Sequence, residues 1–409
     1  MTALHAEVFV AQARAGELDR TRSGYRFLYD RRTPPTLEIA LAMPARVEAY
    51  DSPQLHPIFA MNLPEGYVLD RLRQRYAKLT PADPMLLLAL IGSDEPIGRV
   101  RVRVEGQAVA PHTGESLAEI LAYPGAEEVF RTLEQRYLQR SAVSGMQPKL
   151  LVPERMDAVP SPDDGPRSGP KAALLTRELI VKAAADDYPG LAINEFVCMS
   201  AARRAGMPVP DFHLSDNRAL FVMRRFDRHA DGTVIGFEDM ATLTGGGTEQ
   251  KYRGSYGQIA RVIELYVPPE HRAPQLAQLF DIVALSCIVG NGDAHLKNFG
   301  LLYTDPATDD ARLAPAYDIV NTTAYLPGDT LALGLLGSTD RSLFAARVDL
   351  PEFGRITCRL RDPRARIDAL LAAVVDTLDA ERDLLDEAPH VRDALRASIR
   401  PFVARPGRD

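Results

Sequence analysis

The residues with the clearest chemical content are those of the segment 291–298, Asn-Gly-Asp-Ala-His-Leu-Lys-Asn, together with Asp318 of the later Tyr-Asp-Ile. Asp293 can accept a proton from a hydroxyl group, and Asn298 and Asp318 carry the oxygen ligands that Mg²⁺ prefers. A phosphoryl-transfer site needs these groups, since the protein contributes mainly positioning and charge neutralisation. The pattern therefore predicts phosphoryl transfer from a Mg-nucleotide.

Two more side chains of this segment, His295 and Lys297, are catalytic candidates. Lys297 could neutralise charge that develops on the transferred phosphoryl group. Gly292 would let the loop turn tightly before Asp293. The alternative is an ordinary Asn-Gly turn in which His295 is a packing residue, because such pairs often form turns. The neighbouring elements favour the catalytic interpretation.

These neighbouring elements are a predicted helix and a predicted hairpin. Apolar residues recur at helical spacing over 275–290, and the glycine at position 290 is a typical helix stop. Residues 299–303 read as a short strand, and 313–317 as an extended segment biased by its proline. Asp293 and Asp318 would thus lie at opposite ends of a hairpin-like connection, where they can face each other.

A cation for the nucleotide phosphates is expected earlier in the chain, and Lys182 is the candidate. It lies in the apolar, strand-like run 178–183, where a charge is costly unless it is paired or faces a polar cleft. A helix is predicted over 194–205, and Glu195 near its start could pair with Lys182. The alternatives are a solvated lysine at a strand end and a glutamate favoured only by the helix dipole.

Residues 220–228 form an apolar strand that ends in charge. We expect Arg224, Arg225 and Phe226 to form a hinge whose backbone reads an adenine edge. The alternative is an ordinary edge strand.

A loop of small residues precedes the predicted strand 150–153, and we expect it to lie near the phosphates. Its nucleotide-binding candidates are Ser144, Gly145, Gln147 and Lys149. It is not a Walker loop, because no Gly-Lys-Ser/Thr ending is present.

Composition fits this picture without proving it. A chain of 409 residues with 46% hydrophobic and 25% charged residues is ordinary for a globular protein of two or three domains. The three cysteines are far apart and odd in number, which indicates neither a disulfide framework nor a zinc site, so we expect a cytoplasmic protein. No signal-peptide core is evident, and we expect no membrane contact. A net charge of −7 argues against a strong intrinsic DNA-binding surface.

Taken together, the motifs resemble the HipA-type serine/threonine kinases, which are the toxins of bacterial toxin–antitoxin pairs. The motifs in chain order are residues 142–149, 180–182, 222–228, 291–298 and 317–318. Shorter pieces at 6–10, 16–18, 27–30 and 62–66 are similar to the amino-terminal module of that family. The resemblance spans nearly the whole chain.

The resemblance implies an α+β, two-lobed protein-kinase-like fold with a β-rich amino lobe and an all-helical carboxyl lobe. ATP and Mg²⁺ would lie between the lobes. The expected domains are an amino-terminal module (1–110), a kinase amino lobe with a nucleotide-covering loop (111–227) and a helical carboxyl lobe (228–409). Asp293 would be the catalytic base, Asn298 and Asp318 the metal ligands, and Lys182 the phosphate contact. The hinge residues 224–226 would surround the adenine.

The resemblance also implies that the loop 142–149 covers the nucleotide and that a serine in it is autophosphorylated, which expels the loop and inactivates the enzyme. This chain departs from the common Ser-x-Ser pattern, because its first position is Ala142. Ser144 is therefore the preferred site, and Ser141 is the second choice. The phosphate would carry about two negative charges and be repelled by the nucleotide.

The expected function is an ATP- and Mg-dependent serine/threonine protein kinase that acts as a toxin. The resemblance implies a translation-related substrate, such as an aminoacyl-tRNA synthetase, and a helix-turn-helix antitoxin through which DNA is contacted only indirectly. A small-molecule phosphotransferase is an alternative, because Gly-Asp-x-His-x-x-Asn also resembles the loop of aminoglycoside and choline kinases. Another is a catalytically decayed corepressor. The serine-bearing loop and the intact catalytic groups favour the first interpretation.

Overall fold

The structure is a computed structural model. It describes residues 4–75, 83–91, 96–104, 114–138, 141, 147–155, 177–183, 187–229, 231–247, 250–337 and 342–403. Within these ranges the chain forms three antiparallel sheets and a series of helices.

The first sheet belongs to the amino-terminal module. Its strands are β1 (His5–Val10), β2 (Ala13–Arg20), β3 (Tyr25–Tyr29), β4 (Tyr50–Ser52) and β5 (Val100–Arg103). They are arranged in the order β4-β3-β2-β1-β5. Ala6, Val8 and Val10 alternate along β1 as buried residues, which is the period of a strand with one face on a core. Helices α1 (Pro57–Ala60), α2 (Gly66–Arg75) and α3 (Pro84–Ile91) lie between β4 and β5 in the chain, and α3 contacts β5.

The second sheet carries the predicted nucleotide-binding strands. Two helices, α4 (Leu117–Ala122) and α5 (Ala126–Tyr137), precede it. Its strands are β6 (Lys149–Glu154), β7 (Arg177–Ala183), β8 (Phe212–Leu214) and β9 (Leu220–Arg224), in the order β6-β7-β9-β8. All six residues of β6 are buried, because helices α2 and α5 pack against this strand. The sequence-predicted strands around Lys182 and before Arg224 are confirmed.

The carboxyl lobe is built mainly from helices. They are α7 (Met240–Leu243), α8 (Tyr256–Tyr266), α9 (Pro269–Val289), α10 (Leu343–Ile356), α11 (Pro363–Ala380), α12 (Arg382–Asp386) and α13 (Pro389–Val403). Helix α6 (Leu191–Arg204) comes earlier in the chain, between β7 and β8, and packs against α11. Helix α9 packs against α8, α10, α11 and α13, so it is the central helix of the lobe. Among the described residues it alone has the length and apolar composition of a membrane span, and 61% of its most apolar window is buried inside the protein.

The prediction of a buried helix before the segment 291–298 is confirmed by helix α9. It begins at Pro269, earlier than expected, and Gly290 follows its last residue with a left-handed φ of 78°. Such a conformation favours glycine, because a side chain there meets the preceding turn. Helix α6 also begins earlier than predicted, at Leu191. Glu195 therefore lies beyond the first turn, and the helix dipole does not account for its presence.

The two-lobed α+β kinase-like fold is confirmed, with one departure from an all-helical carboxyl lobe. That lobe also holds a three-stranded sheet of β10 (Gly236–Asp239), β11 (Gly300–Tyr303) and β12 (Arg312–Leu313). Strands β11 and β12 are the hairpin arms that were expected between Asp293 and Asp318. Phe237 and Leu302 of this sheet join the hydrophobic core of the amino-terminal module, so the small sheet packs against that module.

A buried carboxyl group lies where the amino-terminal module contacts this small sheet. Glu238 Oε1 accepts hydrogen bonds from the backbone N–H of Leu41 and from the hydroxyl of Tyr303, both at 2.7 Å. Burial raises the pKa of Glu238 to about 7. The folded protein therefore keeps a proton that the unfolded chain has already released, and its stability falls as the pH rises toward 7.

We expect Glu238→Gln to remove this pH dependence, because the amide cannot ionise. The free energy of unfolding of the variant should exceed that of the wild type by on the order of 3 kcal/mol near pH 8, and the difference should shrink toward zero near pH 4. Urea unfolding at several pH values measures this difference. Glu48→Gln, at an exposed position outside any helix, is the control. If the difference in the free energy of unfolding between variant and wild type did not change with pH, Glu238 would not be the group whose raised pKa causes the pH dependence.

Candidate active site

A cleft of about 510 Å³ lies between the second sheet and the loops that follow α9. Each segment in which the sequence predicted site residues contributes at least one residue to the lining of this cleft. Those candidates are Gln147, Lys149, Lys182, Arg225, Phe226, Asp293, His295, Lys297, Asn298 and Asp318. The fold thus brings together groups that are widely separated in the sequence.

The loop that carries Asp293 is held by its own polar residues and by the segment after Asp318. Asn291 Oδ1 accepts a hydrogen bond from the backbone N–H of Asp293 at 3.0 Å, and Gly292 donates its N–H to Thr322 Oγ1 at 2.8 Å. A Cβ atom on Gly292 would lie 2.1 Å from a carboxylate oxygen of Asp329. The chain turns at residues 292–293, as the sequence suggested. The φ of Gly292 is not left-handed, and glycine is needed here because a Cβ atom would also lie 2.6 Å from the backbone carbonyl oxygen of Thr330.

Asp293 is half-buried and faces the cleft. Its Oδ1 atom accepts a hydrogen bond of 2.7 Å from the hydroxyl of Tyr252. The buried ring of His295 lies edge-on to the ring of Tyr252, with centroids 5.0 Å apart. Burial lowers the pKa of His295, so its imidazole is neutral at neutral pH. Burial thus disfavours the protonated form that His295 would take up as a base, whereas the carboxyl group of Asp293 faces the cleft and can accept a proton from a hydroxyl there.

The two predicted metal ligands lie side by side. Asn298 Nδ2 donates to Asp318 Oδ2 at 3.2 Å, and Asn298 Oδ1 is buried without a hydrogen-bond partner among the described residues. A buried amide oxygen beside a carboxylate is a suitable pair of ligands for Mg²⁺, which prefers oxygen. Asp318 has a φ of 59°, a left-handed conformation that aspartate tolerates better than most residues. The residues present therefore fit the metal.

Helix α6 and the end of α9 fix the chain just after Asp318. Asn321 and Asn194 of α6 exchange two hydrogen bonds, of 2.8 and 2.9 Å, between backbone and side-chain groups. Asn321 Nδ2 also donates to the backbone carbonyl of Val289 at 2.6 Å. No local sequence signal marks Asn194 or Asn321 as a pair, because their mutual contact joins parts of the chain that are far apart in sequence.

Lys182 is buried between two carboxylates. Its Nζ lies 2.5 Å from Glu195 Oε1 and 2.5 Å from Asp318 Oδ1, which confirms the predicted pairing with Glu195. Burial by itself would lower the pKa of Lys182, but the two carboxylates outweigh this and raise it. Burial would likewise raise the pKa of Asp318, and the ammonium groups of Lys182 and Lys149 hold it well below its usual range. The lysine and Asp318 are thus both charged at neutral pH.

Lys149 lies directly across the sheet from Lys182, on β6. Burial lowers its pKa, and no carboxylate lies within 4.0 Å of its Nζ among the described residues. Gln147 lines the same side of the cleft and donates to the backbone carbonyl of Ala183 at 3.2 Å. Both residues lie where phosphates could be contacted. Ser144 and Gly145, the other candidates of this loop, lie outside the described residues.

Two of the three predicted hinge residues line the cleft, and the third does not. Phe226 and Arg225 line the cleft, and the Phe226 ring lies 5.1 Å from that of Tyr317. Arg224 does not line it, because its guanidinium group pairs with Glu154 at 2.7 Å and with Asp211. Strand β9 ends at Arg224, so the regular alternation of a strand does not extend to Arg225 and Phe226. A planar base could contact Phe226, whereas the guanidinium group of Arg224 is paired outside the cleft.

One contact to the catalytic segment comes from the amino-terminal module. Lys297 Nζ lies 2.5 Å from Glu65 Oε1, and Lys251 Nζ lies 3.9 Å from Glu65 Oε2. Glu65 belongs to one of the pieces that are similar to the family's amino-terminal module, and Tyr252 belongs to none of the motifs. Neither residue has a local sequence signal for a catalytic role. The charge of Lys297 is thus paired with a carboxylate of the amino-terminal module.

The fold and the cleft define a two-lobed kinase-like protein. Comparison with known sequences specifies the family: residues 141–381 match the HipA-like C-terminal domain, and residues 6–103 match the HipA N-terminal domain. The chain belongs to the HipA family.

Two relatives from Sinorhizobium fredii carry the names "Putative kinase Y4dM" and "Putative kinase Y4mE". The first is 30% identical over 348 residues, covering 78% of each chain. The second is 29% identical over 301 residues, covering 71% of this chain and 70% of the relative. HipA of Shewanella oneidensis MR-1, solved with HipB and its operator DNA, superposes with a TM-score of 0.66 over 97% of this chain and 96% of that chain. Their identity is 18%, so this likeness concerns the fold.

The two facing lysines generate a prediction about stability. We expect Lys182→Met to lower the free energy of unfolding by about 3–5 kcal/mol, because Glu195 and Asp318 would keep two adjacent carboxylates without their cation. Lys149→Met is the matched control and should be close to neutral or stabilising, since burial already disfavours its charge. Urea unfolding of both variants near pH 7 measures the difference. Equal effects of the two substitutions would contradict this account of the charges.

Proposed function

We propose that the protein is an ATP- and Mg-dependent serine/threonine protein kinase that acts as the toxin of a toxin–antitoxin pair. The observation that carries this proposal is the arrangement of Lys182, Asp293, Asn298 and Asp318 in one cleft, with Lys182 bonded to both Glu195 and Asp318. Phosphoryl transfer requires a cation for the phosphates, oxygen ligands for Mg²⁺ and a proton acceptor. The kinase names of the two Sinorhizobium relatives agree with this function.

Each residue would have one role in the transfer. Asn298 and Asp318 would hold Mg²⁺, which neutralises charge on nucleotide phosphates when it is bound. Lys182 and Lys149 would contact the phosphates from the sheet, and Phe226 would contact the base. Asp293 would accept the proton of the acceptor hydroxyl. Lys297 and His295 also line the cleft near Asp293. To contact the phosphoryl group, Lys297 would have to break its ion pair with Glu65.

We propose further that Ser144 is the autophosphorylated residue. The choice between it and Ser141 is supported by the surroundings of Ser141, which is fully buried. The Ser141 hydroxyl donates to the carbonyl of Tyr137 and accepts from the N–H of Leu151, both at 3.0 Å. A serine bonded in this way supports the fold and has no access to a nucleotide. Gly145 would give the loop freedom to cover the site.

The biological partners are also part of the proposal. The Shewanella protein was solved with HipB and operator DNA, and by analogy this chain would bind a helix-turn-helix antitoxin and contact DNA only through it. The substrate would be a translation-related protein in the cytoplasm, and aminoacyl-tRNA synthetases are the first candidates. The division into a module (1–110), an amino lobe (111–227) and a carboxyl lobe (228–409) is proposed on the same basis.

The first test concerns Asp293. We expect Asp293→Ala to lower the rate of phosphate incorporation by about 100- to 10,000-fold, because the proton acceptor is lost. Intact-mass spectrometry after incubation with Mg-ATP alone measures it, with Asp393→Asn on the exposed face of α13 as the control. Substantial incorporation by Asp293→Ala would remove this residue from its role. No phosphate on the wild type would favour a small-molecule phosphotransferase or a decayed corepressor.

The second test concerns the modified serine. We expect Ser144→Ala to give an enzyme that still phosphorylates a generic acceptor such as casein but no longer modifies itself, since the hydroxyl that receives the phosphate is gone. Phosphopeptide mapping of residues 141–149 measures this. Ser141→Ala, which removes two hydrogen bonds, should instead lower stability by about 1–3 kcal/mol and leave the phosphopeptide present. Phosphate on Ser141 in the Ser144→Ala protein would reassign the site.

A further inference from the structure

The segment 250–255, which precedes α8, contacts the loop that carries Asp293 and contributes Lys251 and Tyr252 to the lining of the cleft. The backbone N–H of Leu296 donates to the carbonyl of Lys251, and the hydroxyl of Tyr256 donates to the carbonyl of Ala294, both at 3.1 Å. Tyr252 lies between these two anchors, and its hydroxyl is 2.7 Å from Asp293 Oδ1. The two backbone contacts thus place the tyrosine directly against the proposed catalytic base.

The surroundings of Tyr252 define the direction of this hydrogen bond. Burial, and then the negative charge of Asp293, raise the pKa of Tyr252 well above its ordinary value. The phenol therefore stays protonated and donates to the carboxylate. Its ring is kept in place by the edge-on contact with the His295 ring at 5.0 Å, although the residue is 45% exposed. No other described side chain donates a hydrogen bond to the Asp293 carboxylate.

A carboxylate has two equivalent oxygens and rotates freely unless one of them is held. A general base works when one oxygen lies within hydrogen-bond distance of the hydroxyl that it deprotonates. We propose that Tyr252 is a positioning residue that holds Oδ1 of Asp293 and leaves Oδ2 for the acceptor hydroxyl. This inference rests on the proposed kinase function and deepens it, because it assigns different tasks to the two oxygens of one side chain.

The transfer would then proceed with a defined path for the proton. The acceptor oxygen forms a bond to the γ-phosphorus as the bond from that phosphorus to the bridging oxygen of ADP breaks. ADP takes the electron pair of the broken bond. The acceptor proton goes to Oδ2 of Asp293, and Tyr252 keeps its own proton throughout. Tyr252 therefore affects the rate without exchanging a proton.

The experiment uses Tyr252→Phe, which keeps the ring on His295 and removes only the hydroxyl. We expect the first-order rate of phosphate incorporation at saturating Mg-ATP to fall by about 10- to 100-fold, the effect of losing one hydrogen bond to a charged group. The dissociation constant for Mg-ATP, measured by calorimetry, should change by less than about twofold. Tyr123→Phe, at an exposed position outside the cleft, is the control for removal of a phenol hydroxyl.

A second measurement does not depend on activity. Wild type, Tyr252→Phe, Asp293→Ala and the double variant form a cycle of urea-unfolding constants, and we expect the two substitutions to be non-additive by at least about threefold. Additive effects would overturn the inference, because no contact would join the residues. Coupling with an unchanged rate of incorporation would also overturn it. A wild type that incorporates no phosphate would contradict the kinase function itself, and with it any positioning role.

Discussion

The rest of the site depends on the buried ammonium group of Lys182. It joins strand β7, helix α6 through Glu195 and the segment that carries Asp318, so that one charge connects the two lobes. A buried cation is tolerated only when its partners compensate the loss of hydration. The two carboxylates meet this requirement, and in return the lysine keeps Asp318 ionised, as its proposed role as a metal ligand requires. The geometry of the cleft and its electrostatics therefore have a common origin.

The amino-terminal module is part of this arrangement and not an appendage. Glu65 contacts Lys297 of the catalytic segment, and the hydrophobic core of the module includes Phe237 of the carboxyl-lobe sheet. At the hinge, Arg225 pairs with Asp227, which accepts a hydrogen bond of 2.8 Å from the N–H of Gly98. Buried charges of this kind are strongly destabilising when one partner is removed. The module, the hinge and the catalytic loop are thus coupled through paired charges.

The active-site loops show why glycine and polar residues are placed as they are. Gly290 ends helix α9 with a left-handed φ, and Gly292 allows the backbone to approach Asp329 closely. The first reason is local and was visible from the helical pattern and its stop. The second is a contact between residues distant in sequence, so the expected turn is present at Gly292, but the local pattern did not show the close approach that requires glycine there. Local sequence rules predict the conformation of a residue better than they predict which distant residues it contacts.

The sequence by itself determined the order of the chemical groups and the elements that carry them. The helix before the catalytic loop, the strand around Lys182 and the hairpin between Asp293 and Asp318 follow from hydrophobic period, proline and glycine. Only the tertiary structure decided that Tyr252 and Glu65 reach the catalytic segment and that Arg224 lies outside the cleft. Periodicity is a property of neighbouring residues, whereas these contacts join distant parts of the chain, and chain folding alone sets their distances.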